Sequence, residues 1–467
     1  MSPKTANVRD DDPRVRAWND RPARRGDYVV YWCQAARRAV DNPALELAVA
    51  RANELDLPVV VYEALRPDYP FASDRFHAFS LACARDSALA LEGRGIAHGF
   101  FLPRTATEAR GVAAKVFARA ALVVSDEHPS FVFPTQNARA AARCACAYLT
   151  VDDLAIVPLA RLPAHEVAAR TLRPKLARLL DEHLAPVTEI EPRRRAEIDW
   201  PFEPLDLARA DLEGAVAACD VDHAVRPIAD RPGGARAAEA RLRDFLARQG
   251  RHYAEARDDV LADQTSGLSP YLHFGAISAR RCAIAAREAL AEAARAPFLE
   301  QLIVRRALAF NHAAREVRHA AWEGVPAWAR ATLEAHAADA RPEAAGVEAL
   351  ERAESRDPVW DAAQRQLLER GRIHNVMRMY WGKRLLVLLP EPRLAFDFAR
   401  RAMDRYALDG RDPNTYAGVG WCFGLHDQPF PERPVFGKVR PMGLGALKKR
   451  FDVDAYVRSV RQPSLLE

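Results

Sequence analysis

Residues Asp27-Tyr-Val-Val-Tyr-Trp-Cys33 indicate the fold class of the N-terminal part of the chain. Its residues are β-branched or aromatic, which is typical of a strand. A second run, Pro58-Val-Val-Val-Tyr62, follows a helical segment that starts behind the capping sequence Asp41-Asn42-Pro43. Neither run alternates apolar and polar residues, and strands without alternation are typical of parallel sheets covered on both faces. The sequence therefore predicts an α/β, Rossmann-like parallel sheet domain over residues 26–160. It contains no G-x-G-x-x-G motif, so no dinucleotide site is predicted.

The C-terminal half has a different periodicity. From residue 236 onward, apolar residues recur at i, i+3 and i+4, as in 239–249, 278–295, 299–314 and 361–389. This pattern predicts an all-α domain over residues 236–467. Residues 161–235 are predicted to be a connector, because the later part is rich in proline and charge. Residues 1–25 are polar and rich in Arg and Asp, and are predicted to be a disordered N-terminal segment.

Composition limits the classes of function. The 467 residues are 49% hydrophobic and 28% charged, with a formal charge of +5. The stretch 432–467 carries eight Lys or Arg and four Asp or Glu, a net +4, which suits either a polyanion such as DNA or an ordinary solvated surface. No apolar run approaches the length of a membrane span. The seven cysteines are scattered without a C-x-x-C pair, which predicts no metal site and a reducing, cytoplasmic location. We expect a monomer.

Three polar blocks carry candidate chemistry. The first runs from Thr265 to Gly275, where hydroxyls and a glycine precede a helix; it could hold a phosphate or simply cap the helix. The second, Arg372 to Lys383, places Arg, Met, Tyr and Trp on one helix, a pattern that core packing also produces. The third, Met403 to Asn414, places Asp409 in a turn. That carboxylate could accept from a flavin ring N–H beside Arg378, or could stabilise its own turn.

These blocks, in this order, resemble the FAD site of class II cyclobutane pyrimidine dimer photolyases, in the DNA photolyase and cryptochrome family. Four further segments match in order, namely 157–174, 298–306, 326–333 and 426–438. The resemblance as a whole extends from about residue 27 to residue 456. The resemblance implies an α/β antenna-type domain, a helical FAD domain, and blue-light-driven electron transfer from reduced FAD to a pyrimidine dimer flipped out of DNA. An antenna chromophore of the deazaflavin type is left open, with no residues assigned.

The resemblance also implies roles for individual residues. The residues that match FAD-binding positions are Tyr253, Arg257, Thr265, Ser266, Gly267, Leu268, Ser269, Arg378, Asp409 and Gly410. Trp360 and Trp381 match two members of a tryptophan chain that reduces FAD by light. Trp421 matches an aromatic residue of the lesion pocket, and Lys438 and Arg440 fall in the DNA-facing segment.

Departures from the family pattern concern the chemistry. Gln301 stands where the family has a glutamate that hydrogen-bonds the dimer, and Met403 stands where an asparagine faces the flavin. Leu388 replaces an outer tryptophan, and Phe430 replaces a tryptophan of the lesion region. Two hypotheses follow. The first is a class II type photolyase with weakened or altered repair. The alternative is a photolyase-like flavoprotein without repair, such as a photoreceptor or a redox protein.

Overall fold

A six-stranded sheet is the framework of the first of two compact units. The structure is a computed structural model that describes residues 9–461. The first unit contains the described part of Met1–Pro163, with Pro174–Asp244 and Gly267–Ala289. The strands are β1 (Val15–Ala17), β2 (Tyr28–Cys33), β3 (Val59–Ala64), β4 (Ala97–Phe101), β5 (Ala120–Asp126) and β6 (Ala147–Val151). Their order in the sheet is β1-β6-β5-β2-β3-β4.

Helices occupy most of the remaining described chain. Those up to residue 244 are α1 (Pro43–Glu54), α2 (Asp74–Gly93), α3 (Val112–Ala118), α4 (Phe133–Arg143), α5 (Ala169–His183), α6 (Leu212–Ala217) and α7 (Ala235–Asp244). Those that follow are α8 (Tyr253–Ala256), α9 (Ser269–His273), α10 (Ala279–Ala289), α11 (Glu292–Leu299), α12 (Arg306–Arg315), α13 (Ala327–Ala335), α14 (Val347–Glu351), α15 (Pro358–Arg370), α16 (Asn375–Leu388), α17 (Pro392–Tyr406), α18 (Pro413–Cys422), α19 (Leu444–Lys448) and α20 (Val453–Arg461). None of the helices between residues 9 and 461 has the length and apolar composition that a membrane-crossing segment requires.

Strand β2 shows why the sheet is covered on both faces. Val29 and Tyr31 pack in one apolar cluster with α1, while Tyr28 and Val30 pack in another with Phe117. Alternate side chains point to opposite faces of a strand, so each face buries its own core. Strands β2 to β6 pair in parallel, which confirms the predicted fold class.

The chain makes close backbone contacts at the carboxyl ends of β2 and β5, where the strand order reverses. The Asp126 carboxylate accepts the backbone N–H groups of Gln34, Ala35 and Ala36 at 2.8, 2.6 and 3.1 Å. Gly275 has a φ of 71° and lies against Ala35, where a Cβ would come within 1.9 Å of a carbonyl oxygen. Open α/β sheets bind nucleotides at this position. In the first unit, Asp126 holds residues 34–36 at this position, and Gly275 packs against Ala35.

The predicted disorder of residues 1–25 is wrong for the described part. β1 pairs antiparallel with β6, with Val15 opposite Val151, and makes an edge strand that the sequence did not indicate. Arg14 is buried and donates to the Ile156 carbonyl at 3.0 Å. The strand was not predicted because the residues around it are charged, and composition alone does not show that a charged side chain such as Arg14 will be buried with hydrogen-bond partners. Residues 1–8 lie outside the described residues.

The predicted connector contains α5 and α6 and also contributes to the first unit. Trp200 and Phe202 pack beside the sheet, with the Phe202 ring 4.9 Å from Phe101 and 5.7 Å from Tyr62. Long connections that bury aromatic residues belong to the core that they cover. The domain boundaries at residues 160 and 235 stay a prediction.

The second unit contains Ala164–Arg173, Phe245–Ser266 and the described part of Leu290–Glu467. Its core includes Trp322, Trp360, Trp381 and Phe396, carried by or beside α15, α16 and α17. The helical periodicity at 361–389 corresponds to two helices, α15 and α16. Gly371 ends α15 in the left-handed conformation, with a φ of 59°, which is a common helix stop.

Candidate functional site

An ion pair beside the first polar block joins Asp263 to Arg372, the first residue of the second block. Arg372 donates to Asp263 Oδ1 at 2.6 Å, and the Thr265 hydroxyl donates to the same oxygen at 2.9 Å. Burial raises the pKa of Asp263, but the Arg372 guanidinium outweighs it and holds that pKa below its usual value. The carboxylate therefore fixes the position of the predicted cradle residue Thr265 relative to the start of α16.

A second ion pair joins α16 to the turn that follows α17. Arg378 Nη2 lies 3.1 and 3.2 Å from the two carboxylate oxygens of Asp409, and each side chain is 14% exposed. Thr415 Oγ1 donates to the Asp409 carbonyl at 2.6 Å and holds the turn. The Nε atom of Arg378 is buried and has no hydrogen-bond partner within the described chain. A buried donor of this kind normally has a partner, so this corner suits a polar ligand.

Gly410 lets the turn pass close behind α17. A Cβ at this position would lie 2.3 Å from the Met403 carbonyl oxygen and 2.9 Å from that of Ala407. Met403 itself is fully buried. The predicted site residues Met403, Asp409 and Gly410 are therefore brought together by the turn.

Asp404 lies near the end of α17 and contacts this turn, and the sequence analysis did not predict it as a site residue. It accepts the Arg411 backbone N–H at 3.1 Å and the Arg400 guanidinium at 3.1 Å. Burial raises the pKa of Asp404 to about 6, against the opposing effect of Arg400 and Arg411. The i, i+4 spacing of Arg400 and Asp404 was the only available signal. Asp404 supports the left-handed Arg411, which has a φ of 61°.

Tyr253 and Arg257 lie on and just after the short helix α8. The Tyr253 ring packs edge-on against Phe245 and Phe298, at 5.8 and 5.6 Å between centroids, and burial raises its pKa. The Arg257 guanidinium lies 6.0 Å from the centroid of Tyr253. This aromatic anchor leaves Arg257 as a partly exposed cation at the edge of the second unit's core.

The boundary between the two compact units falls inside the first block, between Ser266 and Gly267. Gly267 has a φ of 63°, which favours glycine, and its nearest side chain is Arg241 of the same unit. Leu268 is buried, and α9 begins at Ser269 without a side-chain cap. The hydroxyl and glycine residues are therefore divided between two bodies, and their assembly into one cradle stays a prediction.

Two tryptophans stack in the core of the second unit. The rings of Trp360 and Trp381 are 6.0 Å apart between centroids and only 9° from parallel. Trp360 donates its indole N–H to the Trp381 carbonyl at 2.9 Å, and Trp381 donates to Gln364 Oε1 at 2.9 Å. Both rings are almost fully buried, and so is Leu388. The structure brings the two predicted members of the tryptophan chain into direct contact.

Gln301 lies in a π-helical segment, Glu300–Arg305, between α11 and α12. Such insertions are frequent at functional sites. The segment reaches Trp421 through Arg305, whose guanidinium lies 5.2 Å from the Trp421 centroid. Trp421 is partly buried and touches the His426 ring edge-on at 5.8 Å. A cation and an aromatic face thus lie together, an arrangement that suits an unstacked base.

A histidine cluster behind Trp421 was missed because its members are far apart in sequence. His165 Nε2 and His312 Nδ1 share a hydrogen bond at 3.0 Å, and His312 contacts His426 ring to ring at 5.6 Å. His426 donates to the Val167 carbonyl at 2.9 Å. Burial lowers the pKa of His312 to about 3 and that of His426 to about 4, so both are neutral at pH 7. The described residues contain no cluster of His, Cys, Asp or Glu arranged to hold a metal ion.

The predicted DNA-facing residues lie in the exposed segment after α18. Lys438 and Arg440 are exposed, and the Lys438 carbonyl accepts the backbone N–H of Phe430 at 2.8 Å. The Arg440 guanidinium lies 5.2 Å from the Phe430 ring, which is 37% exposed. Two cations beside an exposed aromatic ring are suited to a nucleic-acid surface.

Comparison with known proteins identifies close sequence relatives. No family model matches the chain. It is 36% identical over 452 residues to a deoxyribodipyrimidine photo-lyase of Methanothermobacter thermautotrophicus, covering 96% of this chain and 98% of that protein. It is also 35% identical over 466 residues to a deoxyribodipyrimidine photo-lyase of Oryza sativa, covering 96% and 90%.

Solved structures share the fold at lower identity. A bacterial class III photolyase from Agrobacterium tumefaciens matches with a TM-score of 0.69 and 19% identity, covering 93% of this chain and 86% of that one. An archaeal photolyase from Sulfolobus tokodaii, solved with two FAD molecules, matches with a TM-score of 0.64 and 15% identity, covering 92% and 89%. Both likenesses concern the architecture.

Proposed function

The chain belongs to the deoxyribodipyrimidine photo-lyase family, and from this membership we propose that it is an FAD-dependent, blue-light-driven photolyase of class II type acting on cyclobutane pyrimidine dimers in DNA. Bound in its reduced form, FAD supplies the photoexcited electron that splits the dimer and is then returned. The S. tokodaii relative was solved with two FAD molecules; for this chain we propose one at the helical unit.

The observation that carries the proposal is the Arg378–Asp409 pair with its buried, unpartnered Arg378 Nε. A carboxylate held by one guanidinium nitrogen can accept a ring N–H, while the remaining guanidinium N–H can donate to a ring heteroatom or carbonyl. These are the complementary groups that a flavin ring presents. Arg372, anchored by Asp263, adds a cation just before the start of α16, the helix that carries Arg378. The residues present therefore fit the cofactor.

DNA binding is assigned to the exposed segment and to the aromatic pocket. Lys438 and Arg440 would contact phosphates, since phosphate contacts supply most of the sequence-independent affinity for DNA. Trp421, with Arg305 over its ring, would stack on a flipped base. Gln301 would hydrogen-bond that base through its amide, which can donate and accept but has no acidic proton.

A second candidate, a flavoprotein of this family without repair, is favoured by Met403. Its side chain is fully buried next to the Asp409 turn, and its thioether is only a weak acceptor. Loss of a hydrogen-bonding group beside the ring would alter the redox behaviour of the cofactor while leaving its binding intact.

A repair assay distinguishes the two candidates. Purified, flavin-loaded protein is mixed with irradiated oligo(dT) and reductant, and dimer loss is followed under blue light and in darkness. We expect light-dependent repair, and we expect Gln301→Glu to increase it, because a carboxyl can stabilise developing charge and supply a proton. Gln136→Glu, at a partly exposed position of α4 in the first unit, is the control for added charge. If neither wild type nor Gln301→Glu removes dimers while both retain FAD, the second candidate replaces the first. Absence of flavin in the denatured supernatant refutes both.

A further inference from the structure

A buried tyrosine in the same core cluster as the tryptophan pair donates a hydrogen bond to a carboxylate. Tyr380 precedes Trp381 in α16, is 2% exposed, and its hydroxyl lies 2.7 Å from Asp357 Oδ2. The other oxygen of that carboxylate accepts the backbone N–H of Trp360 at 3.1 Å, since Asp357 is the N-cap of α15. One carboxylate therefore connects the phenol to the residue that carries the second indole of the stack.

The charges around Asp357 are arranged so that Asp357 can gain a proton while the neighbouring Arg384 keeps an ionic partner. Arg384 Nε donates to Asp357 Oδ2 at 2.7 Å, and the other end of the same guanidinium pairs with Glu343. If the Asp357 carboxylate becomes neutral, Arg384 keeps Glu343 as its partner. A largely buried cation left without an ionic partner is strongly destabilising, so this second acceptor matters.

The electron chain needs an end that the two tryptophans do not provide. Trp360 and Trp381 are 0% and 1% exposed, and the position where an outer indole was expected is Leu388, which is also fully buried. Solvent therefore does not reach the stack through these residues. The electron would return from the flavin to oxidised Trp360 unless a neighbouring group first donated an electron to Trp360.

We propose that Tyr380 is a redox-active tyrosine that terminates this electron chain, with Asp357 as its proton acceptor. The inference rests on the proposed flavin function, because the oxidant is a photoexcited, fully oxidised flavin that takes one electron through Trp381 and Trp360. Tyr380 then gives one electron to oxidised Trp360. Its O–H bond breaks, the proton moves to Asp357 Oδ2, and a carboxylic O–H bond forms. The products are neutral Trp360, a neutral tyrosyl radical and neutral Asp357, so charge and protons balance.

The hydrogen bond is suited to this step. For direct proton transfer, the donor and acceptor heavy atoms must lie about 2.6–3.2 Å apart. The Tyr380 hydroxyl oxygen and Asp357 Oδ2 meet that condition in the resting protein, at 2.7 Å. Burial raises the pKa of Tyr380, and the Asp357 charge adds to the effect, so the phenol keeps its proton until it is oxidised.

Tyr456 offers a matched comparison. It is equally buried and also contacts α15, but its hydroxyl meets the neutral amide oxygen of Gln366 at 3.3 Å. A bond to an ionised acceptor is shorter and roughly twice as strong as a neutral one. The two tyrosines therefore differ mainly in the availability of a base.

The test uses flavin-loaded protein in the oxidised state, excited by a short blue pulse. Transient absorption and electron paramagnetic resonance with ring-deuterated tyrosine follow the tryptophan and tyrosyl radicals. We expect a tyrosyl radical in wild type and in Tyr456→Phe, and none in Tyr380→Phe. The lifetime of the light-induced charge separation should fall about tenfold or more in Tyr380→Phe, the factor set by a difference of about 1.4 kcal/mol.

Asp357→Asn separates the proton-acceptor role from a structural role. Asparagine is as good an N-cap as aspartate, so α15 should remain folded by circular dichroism, while the tyrosyl radical should be lost although Tyr380 is present. A wild-type protein that forms a long-lived tryptophan radical but no tyrosyl radical overturns this inference alone. A tyrosyl signal that survives in Tyr380→Phe or in Asp357→Asn also overturns it. Flavin that undergoes no photoreduction at all overturns the proposed electron route through the stack.

Discussion

Gly410→Ala tests whether the Asp409 turn has the close packing that the candidate site needs. The added Cβ would lie 2.3 Å from the Met403 carbonyl oxygen, 2.9 Å from the Ala407 carbonyl oxygen and 3.1 Å from the Met403 carbonyl carbon. All three are backbone atoms, so no side-chain rotation relieves the contact. The turn or the end of α17 must move.

The expected size follows from these distances. Non-bonded carbon atoms meet their neighbours at about 3.5–4.0 Å, so the main chain would shift by roughly 1 Å near Met403. Forcing an extra methyl group into a packed site costs about 1–3 kcal/mol. In a unit of about 200 residues this lowers Tm by about 2–4 °C per kcal/mol. The shift also displaces Asp409 from Arg378, so flavin retention should fall together with stability.

Gly418→Ala is the matched control, because Gly418 lies in α18 of the same unit and a Cβ there meets nothing within 4 Å. A glycine inside a helix is less stable than alanine by about 0.5–1 kcal/mol, so this variant should be slightly more stable than wild type. Thermal unfolding followed by tryptophan and flavin fluorescence compares the three proteins. Equal stability of Gly410→Ala and Gly418→Ala would show that the turn is looser than described and that the packing argument is wrong.

Two further perturbations address the indole stack and the histidine cluster. Trp381→Phe should slow light-driven reduction of bound oxidised flavin, whereas Trp322→Phe, a similarly buried indole outside the stack, should leave the rate unchanged; equal rates in both variants would remove Trp381 from the route. His312→Phe should weaken the loss of stability in acid. Burial lowers the pKa of His312 from 6.5 to about 3, so below pH 6.5 the unfolded chain binds this proton first and stability falls as pH decreases, by up to about 1.4 kcal/mol per pH unit. Denaturant titrations at pH 7 and pH 5 measure the difference, and an unchanged pH dependence in the variant would show that His312 is not held neutral.

The sheet was predictable because its strands are buried on both faces. Residues Tyr28 to Cys33 do not alternate between apolar and polar side chains, which is typical of a strand buried on both faces. The helix after Asn42 begins where its capping residue predicts, because the Asn42 side chain accepts the N–H groups of Ala44 and Leu45. The edge strand β1 was not predictable from propensity, since its stability comes from pairing with β6 and from Arg14 reaching carbonyls about 140 residues away. Local composition does not encode such distant partners.

The site divides in the same way. Arg378 and Asp409 were identified as a pair because an arginine on a helix and an aspartate in a nearby turn have complementary chemistry, and the structure joins them. Asp404 and the histidine cluster were missed, since their significance depends on burial and on neighbours far along the chain. Periodicity indicates which face of a helix is buried, but it does not show which polar groups share that face.

The departures from the family pattern at Leu388 and Gln301 lie in different structural surroundings. Leu388 is fully buried, so the position where an outer tryptophan was expected presents no side chain to solvent. The absence of an indole at position 388 shortens the expected electron route by one member. Gln301 differs in kind, because it lies in a π-helical segment whose Arg305 contacts Trp421, and a neutral amide there changes the charge beside an aromatic pocket. Photoreduction and repair should therefore respond independently to substitutions at these two positions, because one lies in the buried part of α16 and the other on the segment whose Arg305 contacts Trp421.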